Sequence, residues 1–199
     1  MNRRNFLLAG AAGALAPLAP RPAAAVSHID KSRLGYYTDV EVVTHEGKRV
    51  RFYDDLVKGK IVLFNFIYTS CADICPGMTQ NLVEVQSMLG DRVGRDIFMY
   101  SLTLQPERDT PEMLKAYAET FNVGPGWLFL TGAPGNLELL RRRLGFVDPE
   151  PELDADPDQH TGILRFGNEP IDRWAAVPAL SDPEFIVAEV QAVARRHRS

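Results

Sequence analysis

The sequence predicts a three-layer α/β domain with a mixed central sheet and an N-terminal hairpin. Three observations carry that prediction. Residues 60–68 form a near-continuous run of β-branched and aromatic side chains (Ile61, Val62, Phe64, Phe66, Ile67, Tyr68), the pattern of a strand covered on both faces. Strand-like and helix-like segments then alternate along the chain. The alternation ends in a hairpin and a final helix, which adds antiparallel edges to a parallel centre.

The elements follow in order. Residues 40–52 alternate as two short strands around the turn His45, Glu46, Gly47, Lys48. Residues 60–68 supply the central strand. Residues 76–89 read as a helix with Pro76 at its first position and Met78, Leu82, Val85 and Leu89 on one stripe. Residues 97–104 return as a strand, and Asp109, Thr110, Pro111 and Glu112 open a second helix that runs to about Phe121. A short apolar strand spans 127–130, and a third helix spans 136–144, closed by Gly145. Residues 161–166 and 170–174, separated by Gly167 and Asn168, read as a hairpin. Ser181 caps a last helix whose apolar face is Phe185, Val187, Val190 and Val193.

The 199 residues suit one domain, and 45% hydrophobic content with a net charge of −4 is enough to fold rather than stay disordered. The first 25 residues stand apart. Arg3 and Arg4 precede an uncharged stretch from Phe6 to Pro20, and Ala23, Ala24 and Ala25 follow, the layout of an export signal with a cleavage site. The paired arginines ahead of Phe6 and Leu7 resemble a twin-arginine signal, which implies a bacterial protein exported after folding; a general secretory signal is the alternative, and either one puts the domain outside the cytoplasm, in the periplasm. Residues 1–25 are therefore expected to be leader and residues 26–199 a single domain. Loss of Arg3, Arg4 and Arg21 with the leader leaves 19 basic against 26 acidic residues, a net −7. Such a domain is a poor ligand for nucleic acid or anionic lipid, so membrane contact would come only through a partner or an uncleaved leader.

The chain has two cysteines, Cys71 and Cys75, placed between the central strand and the next helix. Pro76 disfavours helical geometry at Cys75, so residues 71–75 are expected to form a loop that brings both thiols to the helix start. There the helix dipole and free amides favour thiolate and lower both pKa values. Two thiolates within five residues either close a disulfide or clamp a soft metal, and the two states exclude each other. A fixed structural bridge would close too small a loop to stabilise much.

A third ligand has to come from four histidines. His28 lies near the mature terminus, His197 in a basic tail, and His45 in the proposed turn. His160 ends an acidic loop directly before a strand, where it could face the cysteines. Two thiolates and an imidazole suit copper, as trigonal Cu(I) or as Cu(II) with an added oxygen. Zinc would want a fourth ligand or water, and residue types alone do not separate the two. Asp73 could supply that oxygen or stand solvated, and Met78 is better placed for the core than for a thioether contact. The acids from Asp148 to Asp158 include Asp154, Asp156 and Asp158 at alternate positions, yet Gln159 and Arg165 stand where a calcium loop needs Gly and Glu. The acidic stretch thus reads as a solvated, mobile loop or as a field that draws cations or a basic partner towards His160.

The strand, helix and two-cysteine arrangement looks like a thioredoxin-type fold. More specifically, the chain resembles the Sco/SenC family of copper-binding proteins across residues 40–194. The resemblance rests on the stretch from Phe64 through Cys71 and Cys75 to Pro76, on Pro106, Glu107, Arg108, Asp109, Thr110 and Pro111, on Gly126 with Trp127, on Leu130, Thr131 and Gly132, and on His160, which follows the second cysteine by 85 residues. It implies that Cys71, Cys75 and His160 are copper ligands. It also implies that the protein delivers copper to a cuproprotein, namely the dinuclear copper site of cytochrome c oxidase during assembly. The alternative is a thiol-disulfide reductase in which Cys71 and Cys75 are the redox pair acting on an acceptor copper site. Family members often carry Asp where this chain has Gln159 and Gln105.

Overall fold

In the computed structural model, residues 38–154 and 162–195 are described. They build a seven-stranded sheet from β1 (Glu41–Thr44), β2 (Arg49–Arg51), β3 (Ile61–Ile67), β4 (Ile97–Thr103), β5 (Trp127–Thr131), β6 (Ile163–Asn168) and β7 (Arg173–Pro178), in the spatial order β2-β1-β5-β4-β3-β6-β7. β3, β4 and β5 are parallel to their sheet neighbours among themselves, with Ile61 opposite Ile97 and Met99 opposite Trp127. The N-terminal hairpin and the β6/β7 hairpin attach antiparallel at either side. The sheet is therefore mixed, as its sequence pattern requires.

Among the described residues, five α-helices complete the layers: α1 (Ile74–Leu89), α2 (Pro111–Thr120), α3 (Pro134–Arg143), the short α4 (Pro151–Asp154) and α5 (Pro183–Ala194). Because side chains alternate along a strand, β3 feeds two cores. Leu63 and Ile67 join the stripe of α1 (Met78, Leu82, Val85, Leu89), Leu114 of α2 and Ile186 and Val190 of α5. Val62, Phe64 and Phe66 point the other way, to Leu137 and Leu140 of α3 and to a buried π-helical turn at Phe52–Val57. Among the described residues no helix is long and apolar enough to cross a membrane.

Several boundaries differ from expectation, each for a local reason. α1 begins at Ile74, so Cys75 lies inside its first turn rather than in a loop. The first four amides of a helix have no intrahelical acceptor, so Pro76 removes no bond there. α3 likewise starts earlier than expected, on Pro134. The last helix is capped by Asp182, whose carboxylate accepts from the Phe185 amide at 3.2 Å; Ser181 is one residue too early because Pro183 occupies the first helical position. Phe185 is half exposed, and Ile186 takes the place expected for it in the core.

Gly167 and Asn168 belong to β6, not to the turn of the hairpin. The bare Cα of Gly167 makes room for the indole of Trp174 across the pair, and a Cβ would fall within that ring. The turn lies further on, at Glu169–Ile171, and closes through Asp172 at φ 49°. Glu169 is buried, accepting from the Tyr53 hydroxyl at 3.0 Å and the Gly59 amide at 2.7 Å, which ties the hairpin to the π-helical turn.

Candidate metal centre

Cys71 and Cys75 are both buried free thiols at the C-terminal end of β3. The strand leads into a tight turn in which the Cys71 amide donates to the Tyr68 carbonyl at 3.2 Å, and Asp73 then starts α1. The turn is held from outside by Asp109. Its buried carboxylate accepts from the Thr69 amide at 3.1 Å, from the Thr69 hydroxyl and from the Thr103 hydroxyl. Thr103 in turn accepts from the Gln105 amide at 2.9 Å, and Ser70 donates to the Gln105 side-chain carbonyl at 3.4 Å. The segment before Cys71 is thus clamped to the segment after β4. In the sequence Asp109 reads as a helix opener and as part of the Pro106 to Pro111 stretch of the resemblance, with nothing to tie it to the cysteine turn. The register shows what could have revealed more: Thr103 sits directly beside Ile67, so its hydroxyl stands where the cysteine turn begins.

The two thiols are electrostatically unlike. Burial pushes the Cys71 pKa up, but the thiol of Cys75, the amides of Cys75 and Asp73 and the Tyr68 side chain all hydrogen-bond to it, and the net effect is downward. Cys75 is pushed up to about 12, first by burial and then by donating its hydrogen bond to Cys71. The expectation that the helix start lowers both is corrected: at Cys75 desolvation exceeds the dipole effect. A thiol biased towards thiolate by a neighbouring thiol is the arrangement of a nucleophile or of a soft-metal ligand with its partner in reserve.

Beneath the thiols Met78 is fully buried in the core, and the Tyr117 hydroxyl bonds Thr79 at 2.9 Å, its pKa raised to about 12 by burial. Asp73 is exposed and makes no side-chain cap bond. A groove of about 670 Å³ lined by residues including Phe66, Leu104, Leu137, Arg141 and Asp154 contains neither cysteine, so it is separate from the thiol pair.

His45 is no free surface histidine. Its Nδ1 accepts from the Phe129 amide at 3.0 Å, its ring stands edge-on to Phe129, and burial lowers its pKa. It joins β1 to β5 structurally. The start of the acidic stretch is also ordered: Asp154 takes two bonds from Arg141 at 2.6 and 2.8 Å and one from the Asp148 amide at 2.9 Å, which holds its carboxyl well below the usual range. Sequence reading missed this because Arg141 lies outside the acidic stretch, on α3. Among the described residues no cluster of three histidine, cysteine or acidic side chains forms a complete metal site. His160, His28, His197 and the leader lie outside the described residues. Two adjacent thiols, one of them biased to thiolate, nonetheless provide the soft part of a copper donor set.

The comparisons agree with this architecture. A family model described as SCO1/SenC matches residues 32–194. A SCO2-like protein of Rickettsia felis is 33% identical over 151 residues, 72% of this chain and 71% of that protein. The SCO1 protein homolog of Bacillus subtilis is 35% identical over 88 residues, covering 44% of each chain. Among solved structures, a SCO1/SenC family lipoprotein from Bacillus anthracis str. Ames superposes with a TM-score of 0.63 at 23% identity, over 78% of this chain and 93% of that one. ScoI of Bradyrhizobium japonicum, solved with copper bound, superposes with a TM-score of 0.61 at 25% identity, over 77% of this chain and 96% of that one. The fold is thioredoxin-like, and the chain belongs to the SCO1/SenC family.

Proposed function

We propose that this protein binds copper through Cys71, Cys75 and His160 and delivers it to a cuproprotein, the dinuclear copper site of cytochrome c oxidase, during assembly. The observation that carries the reading is the pair of buried, mutually hydrogen-bonded free thiols at the start of α1. Copper is the cargo. Binding displaces the Cys75 proton and leaves a two-sulfur clamp, to which an imidazole adds a harder third ligand. Oxidation of both thiols to a disulfide sends two electrons and two protons to an oxidant and removes two ligands at once, which gives release a redox gate. Support comes from relatives: ScoI carries copper, and a further superposed structure (TM-score 0.62, 24% identity) is described as a disulfide switch in a Sco protein of cytochrome c oxidase assembly.

An anaerobic copper titration of the reduced protein, followed by absorption and EPR, tests this. About one copper per chain is expected, and His160→Ala should weaken Cu(II) binding more than Cu(I) binding, because imidazole is the harder ligand. Unchanged Cu(II) affinity removes His160 from the set.

A second reading, a thiol-disulfide reductase acting on the cysteines of an acceptor site, is favoured by the unequal thiols, since a lowered Cys71 beside a protonated Cys75 suits a nucleophile and a resolving thiol. Disulfide exchange needs no imidazole, so His160→Ala separates the two. We further propose that residues 1–25 export the domain to the periplasm by the folded-protein route, on the strength of Arg3, Arg4 and the uncharged stretch behind them. A secretion reporter fused to residues 1–30 should lose that route when both arginines become lysine; continued folded export rejects it.

A further inference from the structure

We infer that Asp109 is a positioning residue of the copper site, one that fixes the turn ahead of Cys71 and, through its buried negative charge, biases the site towards Cu(II) over Cu(I). The inference rests on the copper reading above. Three donors converge on this carboxylate, the Thr69 amide and the hydroxyls of Thr69 and Thr103, and none comes from a lysine or arginine. Among the described residues the carboxylate is therefore held in a buried place by amide and hydroxyl dipoles, with no lysine or arginine bonded to it. Its reach extends to the site: the carboxylate is bonded to the amide and hydroxyl of Thr69, two residues before Cys71. A fixed anion that disfavours further negative charge on the sulfurs favours positive charge on whatever they hold. Doubly charged copper gains more from it than singly charged copper.

The two roles separate by substitution. Asp109→Asn removes the charge while keeping the shape, and its amide nitrogen offers no acceptor to the Thr69 turn. Thr103→Val removes two hydrogen bonds, the one to Asp109 and the one from the Gln105 amide, and leaves the charge. Cu(II) and Cu(I) affinities, the Cu(II)/Cu(I) potential and the Cu(II) absorption spectrum are measured on the wild-type protein and both variants. Asp109→Asn should raise the potential and weaken Cu(II) binding roughly tenfold relative to Cu(I), the scale of one charge acting through a partly dry interior. Thr103→Val should alter the spectrum and leave the ratio of affinities within about threefold.

Equal loss of both affinities in Asp109→Asn, or an unchanged potential, overturns the electrostatic bias and leaves a support of the turn. If Asp109→Asn does not fold, a Thr103→Val potential shifted as far as one lost charge would shift it also overturns the assignment. Wild-type protein that binds neither ion defeats the copper reading itself. The charge is then tested on the metal-free pair, whose disulfide Asp109→Asn should make easier to reduce; an unchanged dithiol potential overturns that role too.

Discussion

Cys75→Ala and Cys75→Ser should both abolish stoichiometric copper binding, yet only the alanine variant should slow alkylation of Cys71 at neutral pH. The reason lies in two separable jobs of one thiol. As a proposed ligand, Cys75 would supply a sulfur that neither substitution replaces. Losing a ligand outright should cost more than the ten- to hundredfold typical of losing a hydrogen-bonding partner behind one, so affinity should drop by more than about a hundredfold. As a donor, Cys75 gives the hydrogen bond that helps lower the Cys71 pKa. Serine keeps a donor at that place; alanine does not.

The sign of the pH effect follows. Burial tends to raise the Cys71 pKa, and the hydrogen bonds to it lower it further than burial lifts it. Without the Cys75 donor, the pKa moves up and less thiolate is present at pH 7, so iodoacetamide labelling of the metal-free protein slows. Backbone amides of Cys75 and Asp73 still point at the sulfur, so the rate should fall without vanishing. Equal labelling rates in the alanine and serine variants would show that the thiol-thiol hydrogen bond does nothing for Cys71. Retained one-to-one copper binding in either variant would remove Cys75 from the donor set.

How much of this was legible in the sequence depends on the range of the interaction involved. The central strand announced itself because a strand covered on both faces needs apolar residues at nearly every position, and Ile61–Ile67 provides them. The two thiols were equally plain from residue type and spacing. What stayed hidden was set by partners distant in sequence. Asp109 and Thr69 are 40 residues apart and meet only because β3 and β4 pair in parallel. Arg141 orders Asp154 from a separate helix. Gly167 looked like a turn glycine because the need it meets, space for Trp174, arises across a strand pair. The unequal pKa values of Cys71 and Cys75 were invisible for the same reason: spacing places both at a helix start, but burial, which decides between them, belongs to the folded whole.

Gly126→Ala should destabilise the fold by about 3 kcal/mol or more, a large share of the roughly 5–15 kcal/mol that holds a typical domain together. Two costs add at this position. Gly126 has φ 85°, a left-handed conformation that costs an L-residue about 1–2 kcal/mol. Its Cα also lies against the backbone of the loop before β4, where a new Cβ would stand 2.6 Å from the Gly94 Cα and 2.7 Å from the Val93 carbonyl carbon. Those are main-chain atoms, so no side chain is there to swing aside. The approach cannot simply relax either, because the Gly126 carbonyl accepts from the Met99 amide at 3.0 Å and the Gly94 amide donates to Ile97 at 2.8 Å. Both bonds set the register in which β4 and β5 start, next to the stacked rings of Trp127 and Phe129. Gly47→Ala is the matched control: it carries nearly the same backbone penalty at φ 79°, with no atom within 4 Å of the added carbon. Urea unfolding of the two variants should therefore place Gly126→Ala well below Gly47→Ala in midpoint, while the slope stays that of the wild type. Equal midpoints would mean that the strand starts are free to separate, and that the close backbone contact is not what holds the edge of the parallel sheet in place.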